Sequence, residues 1–165
     1  MFRVLIAFSV VSSALLASVA VQAKPAAVKD PMASMRALYA GLEKDDFNGD
    51  LPMSQRLRAL MLLDTRETGK GEVGRIDFDY FVNGQDSKVS HVQLTSRDVD
   101  NAPGRRIVVV RFMNFDKQME NHYFWEKTKN GWVLDDVRGI DGEGGFVLSL
   151  LLKYGWDGPE SEKQK

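Results

Sequence analysis

No cysteine occurs anywhere in the chain. That single absence removes disulfides, thiolate nucleophiles, cysteine metal ligands and any lipid-modified N-terminal cysteine. Charge of one sign is missing too. The 22 basic residues are balanced by 23 acidic ones, for a formal net charge of −1, and nothing resembles the clustered basic face a nucleic-acid partner requires. Long apolar runs are confined to the N-terminal stretch, prolines number only five, and no internal repeat is visible. What is plentiful is aromatic and β-branched residue in the second half.

Met1 to Ala23 begins with Arg3 and continues through an apolar stretch from Val4 to Val21. Ser9, Ser12, Ser13 and Ser18 interrupt it, and it closes on Val21-Gln22-Ala23 before Lys24. That order of basic, apolar and small residues is the pattern of a secretory signal peptide. The competing reading is a retained anchor, since a run of roughly 18 residues approaches the length of a membrane span. The serines and the small residues before Lys24 speak for cleavage after Ala23. The expected boundaries are a signal peptide at 1–23, a Pro/Ala linker at 24–30, one α+β domain at 31–157 and a flexible charged tail at 158–165. An exported protein without disulfides suits a periplasmic setting, with no stable membrane insertion after cleavage.

Met32, Met35, Leu38, Tyr39 and Leu42 recur at helical spacing behind Asp30-Pro31, a cap followed by a first-turn proline. Ser54 is the N-cap of a second predicted helix, with Leu57, Leu60, Met61 and Leu62 as its apolar face and an end near Asp64 or Thr65. Gly69, Gly71 and Gly74 then mark a loop leading to Ile76–Phe81, a short extended or single-turn segment. Strands are expected over Lys88–Arg97, Arg105–Phe115, Gln118–Thr128 and Trp132–Arg138, with Asn130-Gly131 as a hairpin turn. Gly142, Gly144 and Gly145 read as hinges closing the strand region, before a short apolar helix or strap over Phe146–Leu152. Helices followed by an antiparallel meander make an α+β layer architecture.

Certain residues carry a resemblance. They are Leu38-Tyr39, Leu51 and Ser54 with Leu57 and Leu60, Asp77-Phe78-Asp79-Tyr80-Phe81 with Gln85-Asp86, and Gly131 to Val137. In order and spacing the chain resembles the nuclear transport factor 2-like cone, in which a curved antiparallel sheet wraps around N-terminal helices. More narrowly it is similar to a family of exported bacterial proteins with that fold, to which no activity is attached. Tyr80 stands where the pattern expects proline. The resemblance implies a fold, a compartment and a pocket between sheet and helices, but no chemistry.

Residues must therefore suggest the chemistry. Asp135 and Asp136 lie next to each other on the last long strand, where alternation lets only one point inward. Held among Trp132, Tyr123 and Phe124, that carboxylate would be desolvated and its pKa raised toward acid-base use, with His122 or Tyr123 assisting. The simpler reading is that both aspartates bond to nearby backbone, so no catalytic residue is assigned. Asp79, Tyr80, Asp86, His91 and Trp132 are the ligand-binding candidates, although Asp79 and Asp86 equally suit turn formation. A calcium loop at Asp77–Asp86 fails because Phe81 occupies a ligand position and the distal Glu is missing. His91 and His122 alone make no zinc signature. No dinucleotide motif or serine elbow is present, so neither cofactor nor metal is expected.

Three functions follow in order. The first is a non-catalytic binding or accessory domain for a small ligand or an envelope protein; the second an isomerase or hydrolase using the pocket carboxylate; the third an immunity or inhibitor protein. Trp156, beside Gly155 and Gly158, is either folded back onto the core or offered to a partner. Pairing of two sheets into a homodimer is left open.

Overall fold

A computed structural model describes residues 26–46, 50–142, 144–156 and 158. The leader at 1–23, the start of the linker, Asn48-Gly49 of the first turn and the tail apart from Gly158 lie outside the described residues.

Helix α1 spans Pro31–Leu42, and the Asp30 carboxylate accepts from the Met32 backbone N–H at 3.0 Å, as the sequence predicts. Met35, Leu38, Tyr39 and Leu42 form its buried face. Helix α2 spans Gln55–Glu67, with the Ser54 hydroxyl accepting from the Leu57 N–H at 3.1 Å. It runs past the expected stop at Asp64 or Thr65. Arg66 and Glu67 are good helix formers, and the first residue to break the pattern is Gly69. Its apolar face is also narrower than expected: Leu57 is buried but Leu62 is 56% exposed.

Five strands follow, β1 (Val89–Asp98), β2 (Arg105–Asn114), β3 (Lys117–Thr128), β4 (Gly131–Asp141) and β5 (Gly144–Val147), then α3 (Leu148–Tyr154). They form one antiparallel sheet in the order β1-β2-β3-β4-β5, so the described chain is α+β. Of the glycines read as hinges, Gly142 lies in the turn after β4, while Gly144 and Gly145 are part of the sheet. Gly139 pairs with Phe146 and Ile140 with Gly145, because residues without side chains let β5 and its aromatic ring approach β4 closely.

The supposed linker is fixed over its described part. Val28 exchanges backbone hydrogen bonds with Trp132 at 2.9 and 2.8 Å, and Leu134 is bonded to Pro52 and Ser54 at 2.7 Å each. These two short segments and β5 cover the edge of β4. No helix among the described residues is long and apolar enough to cross a membrane.

One face of the sheet packs against the helices. It presents Val108, Val110 and Phe112 from β2, Met119, Tyr123 and Trp125 from β3, and Leu134 and Val137 from β4, all in one cluster with α1, Leu57 and the leucines of α3. The opposite face is open and carries Ile107, His122, Phe124 and Arg138.

Within this core lies a polar hub. Tyr39 Oη donates to the Phe81 carbonyl at 2.7 Å and meets Tyr123 Oη at 2.8 Å, while the Asn121 amide donates to Phe81 O at 2.9 Å and Tyr123 Oη at 3.1 Å. Asn114 holds the next stretch, accepting from Lys88 N at 2.8 Å and donating to Val82 O at 3.1 Å and Asp86 O at 3.2 Å. Two asparagines on neighbouring strands thus clamp the irregular segment before β1, satisfying backbone that has no ladder partner.

A methyl group added at Gly139 would overlap the Phe146 ring and approach Asn83 Oδ1 to 2.8 Å. Gly139→Ala is expected to lower stability by about 1–3 kcal/mol through overpacking, read as a shift of the urea midpoint. An unchanged midpoint would show that β5 is not seated on β4 in this way.

Candidate functional site

The register of β3 and β4 slips once. Phe124 pairs with Asp136 and Trp125 with Leu134, leaving Asp135 as the extra residue of a β-bulge. The bulge overturns the alternation argument: both carboxylates turn to the side of Phe124. Arg56, from the first turn of α2, reaches both. Its Nε lies 3.3 Å from Asp135 Oδ1, and its Nη2 lies 2.6 Å from the Asp135 carbonyl and 3.4 Å from Asp136 Oδ2. Arg105 adds a second ion pair to Asp135 at 2.7 Å. Asp136 has a further task. It accepts from the N–H groups of Val137 at 2.9 Å and Ser149 at 3.0 Å and from the Ser149 hydroxyl, which supplies the cap that Val147 cannot give to α3.

Asp135 is not the expected desolvated acid. Burial does push the Asp135 pKa upward, but hydrogen bonds from Ser54, Arg56 and Arg105 outweigh it and hold the carboxyl below the usual value. Asp135 is an anchored anion, unsuited to trading protons near neutrality.

Nor do the proposed assistants arrive. Tyr123 faces the core, fully buried in the hub, where burial pushes its hydroxyl and that of Tyr39 well above the ordinary tyrosine range. His122 faces the open side and pairs with Glu120, which Arg111 also holds. The His122 bond leads in keeping the Glu120 carboxyl below its usual value, with Arg111 adding to it. No hydrogen bond joins His122 or Tyr123 to Asp135 or Asp136 among the described residues.

The five ligand-binding candidates are scattered. Asp79 closes a turn by accepting from Phe81 N at 2.8 Å, and burial raises its pKa. Burial, helped by the charges of Asp79 and Asp50, pushes the Tyr80 hydroxyl up to about 12. Asp86 is exposed, with its carbonyl held by Asn114. His91 sits at the bulge of β1 with φ of 55°, beside a shallow cavity bordered by Arg111 and Met113. Trp132 is buried under two cations, the Arg106 guanidinium 4.9 Å and the Lys127 ammonium 5.8 Å from its ring centre. Trp156 combines both expectations: its ring lies 5.9 Å from Phe78, yet it is 62% exposed. Among the described residues no group of three or more His, Asp or Glu is placed to hold a metal ion.

Apart from Asp135, Asp136 and Phe124, the residues that do converge were not singled out from the sequence. A cavity of about 480 Å³ opens beside the bulge, with Ile107, Phe124 and Val147 lining it as apolar surface and Arg56, Arg105 and Arg138 standing around it with the two aspartates. The Arg138 guanidinium makes no hydrogen bond or ion pair among the described residues, unlike those of Arg56 and Arg105. Arg106 also borders the space, but its guanidinium is committed to Asp98 at 2.7 Å and to Trp132. The signal for this site lay in strand alternation, which puts Arg105, Ile107 and Val109 on one face. Compared with known proteins, the chain matches no protein-family model, no curated protein and no solved structure.

Because the Asp135 pKa lies below its unfolded value of about 4, its ion pairs stabilise fully above that pH and are lost as pH falls through the folded value. Asp135→Asn should therefore flatten the acid limb of a plot of urea midpoint against pH. If variant and wild type run parallel down the acid limb, the pairing of Asp135 contributes nothing.

Proposed function

We propose that the protein is exported, loses Met1–Ala23 and serves in the periplasm as a non-catalytic binding domain of nuclear transport factor 2-like architecture. Export is supported by the basic, apolar and small-residue order of the leader. The architecture is supported by two leading helices and a sheet of consecutive antiparallel strands whose bulges bend it. Binding rests on one observation. At the bulge, both carboxylates are consumed by ion pairs and by the start of α3, while an apolar-floored cavity is left open beside them. A general acid or base needs a pKa near the working pH and a partner within reach, whereas Asp135 is shifted the other way. At about 480 Å³ the cavity falls inside the roughly 300–1,000 Å³ typical of small-molecule sites.

Native mass spectrometry of the protein recovered from the periplasm tests both halves. The expected spectrum shows a chain beginning at Lys24 with a small bound mass that is lost on denaturation. A bare chain that hydrolyses or isomerises test substrates, with activity abolished in Asp136→Asn, would overturn the binding reading.

A further inference from the structure

We infer that the bulge pocket takes a small monoanion with an apolar body: one carboxylate, sulfonate or sulfate ester carried on a short alkyl or aryl group. This rests on the binding-domain reading and adds the ligand class. Around the cavity Arg56, Arg105 and Arg138 stand with Asp135 and Asp136, Glu126 adds a carboxylate 3.6 Å from Arg105, and of the three guanidinium groups only that of Arg138 has no carboxylate partner among the described residues. The acceptor side is already filled. Asp135 takes bonds from Arg56 and Arg105, and Asp136 takes the Ser149 backbone and hydroxyl, so no free carboxylate greets a cationic ligand. The donor side is in excess, since a guanidinium carries five N–H donors. Arg138 spends none of its donors on the described protein, and Arg56 and Arg105 are held in place by their pairs. Preorganised guanidinium forks with one member free suit a planar or tetrahedral oxyanion. The apolar part follows from the other wall. Ile107 and Phe124 are cross-strand neighbours and Val147 stands opposite Arg138 on β5; Ile107 is buried, while Phe124 and Val147 are half-buried and keep apolar surface free. A fully polar anion would leave that surface wet, and one guanidinium without a carboxylate partner matches a single, singly charged head group.

The test is a titration of the ¹⁵N-labelled exported protein with octanoate, octyl sulfate, 1-octanol, octylamine and inorganic phosphate, each below its aggregation limit. Octanoate and octyl sulfate are expected to shift the amides of Phe124, Asp136, Arg138 and Val147 saturably, and more weakly as salt rises. In Arg138→Gln their affinity should fall about tenfold or more, the scale of a lost hydrogen bond to a charged group. Lys129→Gln, the same charge change at the distant β3–β4 turn, should leave affinity unaltered. If octanol or octylamine binds there as tightly as octanoate, the anion assignment falls while the pocket reading stands. Phosphate binding as tightly as octyl sulfate would remove the apolar requirement. Absence of saturable shifts at those residues with every probe overturns this inference and the pocket together.

Discussion

One extra residue in β4 organises the open face of the sheet and its contacts with the helices. By inserting Asp135 opposite Phe124 and Trp125, the bulge cancels the strict alternation of a strand and places two carboxylates on one side. From there they reach three elements distant in sequence. Asp135 meets Ser54 and Arg56 at the start of α2 and Arg105 at the start of β2, while Asp136 caps α3 through Ser149. These contacts are partly solvent-exposed, so each ion pair taken singly is worth little. Their value lies in geometry, because the same two side chains fix both helix starts and the arginines that border the open cavity.

A second constraint works on the other face. The hub of Tyr39, Tyr123 and Asn121 ties α1, β3 and the Phe81 carbonyl together inside an apolar core. A polar group buried there is stabilising only when paired, and leaving one unpaired costs about 1–3 kcal/mol. Tyr123 is therefore a structural hydroxyl, and the aromatic density that makes the second half of the chain look like a site is mostly core. The two faces divide the labour: tyrosines and tryptophan close the helix side, and arginines and aspartates shape the open one.

Much of the scaffold was legible because its signals are local. Asp30 and Ser54 begin helices through their own side chains, and at the β3–β4 hairpin Gly131, paired with Thr128, takes the positive φ of 126°. What stayed hidden depends on partners far along the chain. A bulge has no signature in the strand that carries it, since Asp135 becomes extra only when Phe124 and Trp125 are known to face it. The pairing of Val28 with Trp132 was equally invisible, and so was β5, whose glycines imitate a loop. Arg56, Arg105 and Arg138 sit on three elements and are ordinary surface charges until the sheet brings them together. Asp135 was singled out correctly as a notable residue, but its environment, and with it the direction of its pKa, is set by arginines that the neighbouring sequence does not contain.

The most direct measurement of this arrangement is the titration of the Asp135 side-chain carboxyl carbon by ¹³C NMR. A midpoint below the ordinary aspartate value of about 4 is the expected result, because Ser54, Arg56 and Arg105 favour the charged form. A midpoint raised above that value would mean a desolvated, unpaired acid at the bulge, and would contradict the scaffold described for this pocket.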